Sequence, residues 1–264
     1  MHCSPASFEC LPGAEESPVI LHVPHSARRI PAAVRADIVL DEQALNGELD
    51  HITDAHTARL ASAATELASV RPWQFVNRLS RLVIDPERFP DEREEMLAVG
   101  MGAVYTRTTQ RNMLRAADFD PTALLDRYFH PYAQAMTETV SARLRAAGRA
   151  VIIDVHSYPT ERLPYELHTD GDRPSICLGV DDFHTPPELT ARAAEAFAEF
   201  GGVAINSPFA GTYVPLDFYG INPRVTALMV EIRRDTYMAE PGGPPGPGLE
   251  RLAVALAALV DGLT

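Results

Sequence analysis

Residues 121–155 constrain the fold more than any other part of the chain. From 121 to 147, Leu124, Tyr128, Tyr132, Met136, Val140 and Leu144 recur every fourth residue, the spacing of one helix face. Gly148 follows as a stop, because glycine readily takes the left-handed conformation that ends helices. Residues 150–155 then form a near-continuous apolar run of strand length. Such a run needs cover on both faces, so it belongs at the centre of a sheet with helices on either side.

The rest of the chain repeats this alternation. Residues 18–23, 73–77, 81–85, 175–180, 203–206 and 226–232 read as strands, and residues 48–67, 187–200 and 249–263 as helices. Helices alternate with strands, and some strands are adjacent in sequence, which predicts a three-layer α/β/α domain with a mixed, mostly parallel sheet. The length of 264 residues suits one such domain over residues 17–264, preceded by a partly ordered tail or arm over residues 1–16.

Charge narrows the partners. With 23 basic and 36 acidic residues the net charge is −13, which disfavours nucleic acid and anionic membranes. No stretch approaches a membrane span, and the first residues lack the apolar core of a signal peptide. Three cysteines, Cys3, Cys10 and Cys177, make no disulfide framework, so a cytoplasmic location is expected.

In α/β folds, sites form beyond the carboxyl ends of central strands. Three strand ends here carry acid/base or metal-binding side chains: His25 and Ser26; Asp154, His156 and Ser157; and Glu231, Arg233 and Arg234. The helix at Glu48 adds Asp50, His51, Asp54 and His56. Two histidines and one carboxylate, with a fourth place for water, make a catalytic zinc site. Glu231 is placed to act as a general base, while Arg233 and Arg234 suit an anionic substrate or its carbonyl. Asp50 and Asp54 share a helix face, so either fits as the carboxylate ligand. The blander alternatives are hydrogen-bonded loop histidines and an ion-pair network around Glu231. His22 reads as structural, and His51, His56, His130, His168 and His184 have no convincing partners in the sequence. Neither a Gly-x-Ser-x-Gly turn nor a phosphate-binding glycine motif is present.

Across residues 19–238 the chain resembles the N-formylglutamate amidohydrolase family. The resemblance is carried by Val23-Pro24-His25-Ser26, Asp50-His51-Ile52-Thr53-Asp54, the run from Ser80 to Phe89, the run from Val99 to Thr106, Asp154-Val155-His156-Ser157, and Val230-Glu231-Ile232. It implies a zinc-carboxypeptidase-like fold and one zinc per chain, held by His25, Asp50 and His156, with Asp54 the alternative to Asp50. It also implies Glu231 as the base. Arg81 or Arg88 would hold the substrate carboxylate or the oxyanion, with pairing to Asp85 and Glu87 as their structural alternative. The implied reaction takes N-formyl-L-glutamate, a small anionic substrate, to formate and glutamate within histidine breakdown. Alternatives are a peptidase or deacylase acting on another N-acyl amino acid or short peptide, and a non-catalytic binding protein on the same scaffold. One departure stands out. Where the family often has Asp-Leu-Asn-Arg, this chain has Asp85-Pro86-Glu87-Arg88, and Glu87 is expected to pair with Arg88 and weaken its grip on an anion.

Overall fold

Among the described residues, seven strands form one sheet: β1 (Phe8–Leu11), β2 (Val19–Val23), β3 (Trp73–Asn77), β4 (Ala150–Tyr158), β5 (Ile176–Gly179), β6 (Val203–Ile205) and β7 (Val225–Arg233). Their spatial order is β1-β3-β2-β4-β7-β5-β6. The central neighbours β3, β2, β4 and β7 run parallel, as do β5 and β6, whereas β1 on β3 and β5 on β7 are antiparallel. This computed structural model describes residues 7–167 and 171–264, so Cys3 and His168 lie outside the described residues.

The apolar run at the start of β4 is central, as its composition requires, and all nine of its residues are buried. Alternate residues leave for opposite faces. Leu21, Ile153 and Leu228 pack against α2 (Thr57–Leu67), α4 (Pro187–Ala196) and α5 (Gly248–Asp261). Ile20, Ile152 and Ala227 pack against Tyr132, Met136 and Val140 of α3 (His130–Ala147). Gly148 ends α3 at φ 75°, as the sequence predicts. Each fully buried aliphatic side chain contributes about 1.5–3 kcal/mol, so the two layers together fix the sheet.

Two expectations are corrected. The helix expected over residues 48–67 is two helices, α1 (Glu42–Ile52) and α2, interrupted by a short turn in which His56 takes a left-handed conformation at φ 68°. The strand expected over residues 81–85 is a turn: the amide of Val83 donates to the Ser80 carbonyl at 2.8 Å, and Arg81 meets Asp85 four residues on. In an extended strand those residues would stand about 13 Å apart. Leu82, Val83 and Ile84 are apolar because the turn is buried on several sides, not because it joins the sheet. Within the N-terminal tail, residues 8–11 form an ordered edge strand on β3.

Candidate active site

Strand alternation and register assemble the polar residues. His22 on β2 lies opposite Asp154 on β4, and His156 on β4 lies opposite Glu231 on β7. All four point to the face that carries α3. Beyond its apolar patch, the carboxyl ends of the strands open into a cavity of about 940 Å³ lined by His25, Asp54, Glu87, His156 and Glu231.

His25 follows β2, and the helix break after Ile52 brings Asp54 to it. The Asp54 amide donates to the His25 carbonyl at 3.0 Å, and the Thr57 hydroxyl donates to the Asp54 carbonyl at 2.8 Å. The Asp54 carboxylate is thereby aimed at two imidazoles. His25 Nδ1 and His156 Nδ1 are 3.2 Å apart, and Asp54 Oδ2 lies 3.2 Å from the second and 3.7 Å from the first. These three groups, all buried, could hold a metal ion.

The outer ring nitrogens face carboxylates. His25 Nε2 is 2.9 Å from Asp85 Oδ1, and His156 Nε2 is 3.1 Å from Asp154 Oδ1 and 3.2 Å from Glu87. Such partners fix the tautomer, leaving each Nδ1 as a lone-pair donor directed inward. Two lone pairs and a carboxylate oxygen at this separation repel one another unless a proton or a cation sits between them. A tetrahedral zinc site with bonds of about 2.0–2.1 Å separates its ligand atoms by about 3.3 Å, close to the observed triangle.

The protonation tendencies follow from the same contacts. Burial pulls His25 and His156 down, but the carboxylates around them win and raise both, His156 strongly. Burial pushes Asp54 up, yet its hydrogen bonds to His156 and His25 hold it well below the carboxylate range. Asp85 is depressed against its own burial by Arg81 and His25. Glu231 goes the other way. Burial, assisted by the negative charge of Asp54, pushes its carboxyl up to about 7 against the pull of His156, Arg81 and Arg234. Its Oε2 is buried without a hydrogen-bond partner among the described residues.

The expected residues divide clearly. His25, His156, Glu231, Arg81 and Arg88 all line the cavity. Asp50 does not join the histidines: its side chain is 35% exposed, pairs with Arg28 at 2.6 Å and packs beside Gly242. The helix break turns Asp54 inward one turn later. Arg233 leaves the site and binds Asp235 at 2.8 Å and the Arg173 carbonyl. Arg234, just past the strand, turns in and donates to Asp54 Oδ1 at 3.2 Å and the His51 carbonyl at 2.6 Å. Arg81 donates to Asp85 Oδ2 at 2.6 Å, and Arg88 sits 3.6 Å from Asp85 and 3.5 Å from Glu94. Glu87 turns toward histidines: besides His156 it lies 3.5 Å from both His25 Nε2 and His22 Nδ1. His22 is bound on both sides, by Asp154 at 2.9 Å and by the Tyr132 hydroxyl at 2.6 Å.

Known proteins resemble this chain along most of its length. The sequence pattern of the N-formylglutamate amidohydrolase family matches residues 17–238. An N-formylglutamate deformylase of Pseudomonas aeruginosa is 28% identical over 233 residues, covering 84% of this chain and 83% of the relative. That of Pseudomonas putida is 25% identical, covering 84% and 82%. A crystal structure of N-formylglutamate amidohydrolase from Ralstonia eutropha JMP134 superposes with a TM-score of 0.79 at 25% identity, covering 97% of this chain and 96% of that one. Fold and relatives together define a hydrolase that acts on an amide. The chain belongs to the N-formylglutamate amidohydrolase family.

Proposed function

We propose that this chain deformylates a small N-formyl amino acid, N-formyl-L-glutamate first among candidates, releasing formate and the free amino acid. The carrying observation is the buried triangle of His25 Nδ1, His156 Nδ1 and Asp54 Oδ2 beside Glu231, whose Oε2 has no hydrogen-bond partner among the described residues. The triangle is the place for zinc. When bound, zinc would polarise the formyl carbonyl and make water a better nucleophile.

The chain's own groups supply the rest. Glu231, with its carboxyl raised to about 7, takes the proton of the water that adds to the formyl carbon. As the C–N bond breaks, that proton passes to the leaving amine. Arg81 and Arg88 are fixed by Asp85 at the cavity wall, where a guanidinium can hold a substrate carboxylate or the developing oxyanion. Asp85, Asp154 and Glu87 hold the outer ring nitrogens, so that both Nδ1 atoms would be free to hold the metal. The names of the Pseudomonas and Ralstonia relatives support N-formylglutamate as the substrate.

The test is Glu231→Gln, assayed for zinc content and for formate release from N-formylglutamate. The expected result is retained zinc with turnover lowered by at least ~10²-fold. Wild-type turnover in that variant would remove Glu231 from the chemistry.

A further inference from the structure

The cavity is larger than a single N-formyl amino acid requires. Its volume of about 940 Å³ is at the upper end of what drug-sized ligands fill. One arm of it runs along the flank of α3, where His130, Ala133, Gln134, Thr137 and Glu138 line it in the three-and-four spacing of one helix face. From residue 130 to residue 138 a helix rises about 12 Å. An extended peptide advances roughly 3.3 Å per residue, so this wall matches roughly three or four residues of chain.

The opposite wall comes from the loop that contains Tyr213, Leu216, Asp217 and Tyr219. Phe89 joins it from the other side, its ring meeting that of Tyr219 edge to face with centroids 6.1 Å apart. The arm therefore pairs an aromatic, partly apolar wall with a helix face of hydrogen-bonding side chains. That combination suits a peptide backbone with side chains better than it suits solvent. α3 and the loop contribute Glu138 and Asp217. Arg93 stacks on Phe89 at 4.8 Å but is paired with Asp91 at 2.7 Å, so the arm keeps a net negative charge.

We infer that the site admits N-formylated short peptides of about three residues carrying a basic side chain, the chain lying between α3 and the Tyr213–Tyr219 wall. This rests on the reading of the site as a deformylating centre. Formyl is the smallest acyl group, so any extension must lie on the amine side of the scissile bond. Water adds to the formyl carbon, the C–N bond breaks, formate leaves, and the peptide amine keeps the proton.

Binding is measured by calorimetry on zinc-loaded Glu231→Gln, and turnover on the wild type. The probes are N-formylglutamate and two N-formyl tripeptides that differ in Arg against Glu at the last position. The arginine tripeptide is expected to bind on the order of tenfold more tightly than N-formylglutamate. It should also exceed the glutamate tripeptide by about fivefold, the scale of one or two exposed charge contacts. Gln134→Trp, on the exposed side of α3, should erase the gain of the longer probes and leave N-formylglutamate unchanged. Asp217→Arg should reverse the charge preference. Equal affinity for short and long probes, or a gain untouched by Gln134→Trp, overturns the inference while N-formylglutamate turnover stands. Turnover of the tripeptide without that of N-formylglutamate upholds the inference and replaces the substrate proposed above. Absence of both overturns the two together.

Discussion

The two faces of the sheet are made by the same strands, yet they follow opposite rules. On the face toward α2, α4 and α5, β2, β4 and β7 present Leu21, Ile153, Val155, Leu228 and Val230, all essentially inaccessible. On the face toward α3, the same strands begin apolar with Ile20, Ile152 and Ala227 and end with His22, Asp154, His156 and Glu231. The first face gains free energy from every residue it buries. The second buries ionisable groups that are costly unless each finds a partner of opposite charge. Apolar burial is concentrated on one face and ionisable side chains on the carboxyl end of the other.

The sharpest test of that division lies within the polar face itself. Asp54 and Asp50 are one helical turn apart in sequence and differ only in where the helix break sends them. Asp54→Ala should abolish zinc binding and turnover together, because it removes one corner of the triangle. Asp50→Ala removes an exposed pair with Arg28, worth about 0–1 kcal/mol, and should leave zinc content and turnover near wild type. Metal analysis of the two purified variants decides between them. The reverse pattern would return Asp50 to the site.

Across the sheet, Ile153→Ala should cost about 2–5 kcal/mol of stability in urea unfolding. Its side chain points away from the cavity, so kcat/KM per folded molecule should not change. A loss of zinc affinity in this variant would show that the faces are not independent. Asp85→Asn probes the polar face more gently. Asp85 supports His25 from behind, and such outer carboxylates are worth about 10–100-fold in metal affinity. Competition with a chelator would read that shift; an unchanged affinity would confine Asp85 to its pairing with Arg81, Arg88 and Tyr105.

What could be read beforehand follows the same division. The apolar face was legible because periodicity reports burial directly: residues 150–155 and the helix before them gave the centre of the sheet. His25, His156 and Glu231 were visible because they terminate such runs. Asp54 over Asp50 was not decidable, since both suit one continuous helix and nothing in the sequence announces the left-handed His56. The Thr-Asp-Ala-His-Thr run holds a weak signal, because a threonine hydroxyl bound to the Asp54 carbonyl competes with a continuous helix. Arg234 over Arg233 depends on a short 3₁₀ turn after β7, which strand alternation does not foresee. Asp85 and Glu87 belong to a buried turn whose apolar residues mimic a strand, so their approach to the histidines is a tertiary fact.

The mildest prediction joins the two faces through pH. The Glu231 carboxyl is raised to about 7 in the folded chain, against an ordinary value of 4.5. The folded state therefore binds a proton that the unfolded state has released between those values, and stability falls as pH rises through that window. Below it the group is neutral in both states and costs nothing; above it the full penalty is present. A glutamine side chain at the same position would be neutral throughout. Metal-free Glu231→Gln should thus match the wild type near pH 4.5 and exceed it above pH 7, by on the order of 1–2 kcal/mol or a few degrees in Tm. Zinc should shrink the gap, because a nearby dication favours the carboxylate and draws its pKa back down. Thermal melts at pH 5 and pH 8, with and without zinc, would read all four states. A variant no more stable than wild type at pH 8 without metal would mean that the Glu231 carboxylate is solvated, and the functional face would then carry less stored cost than its burial implies.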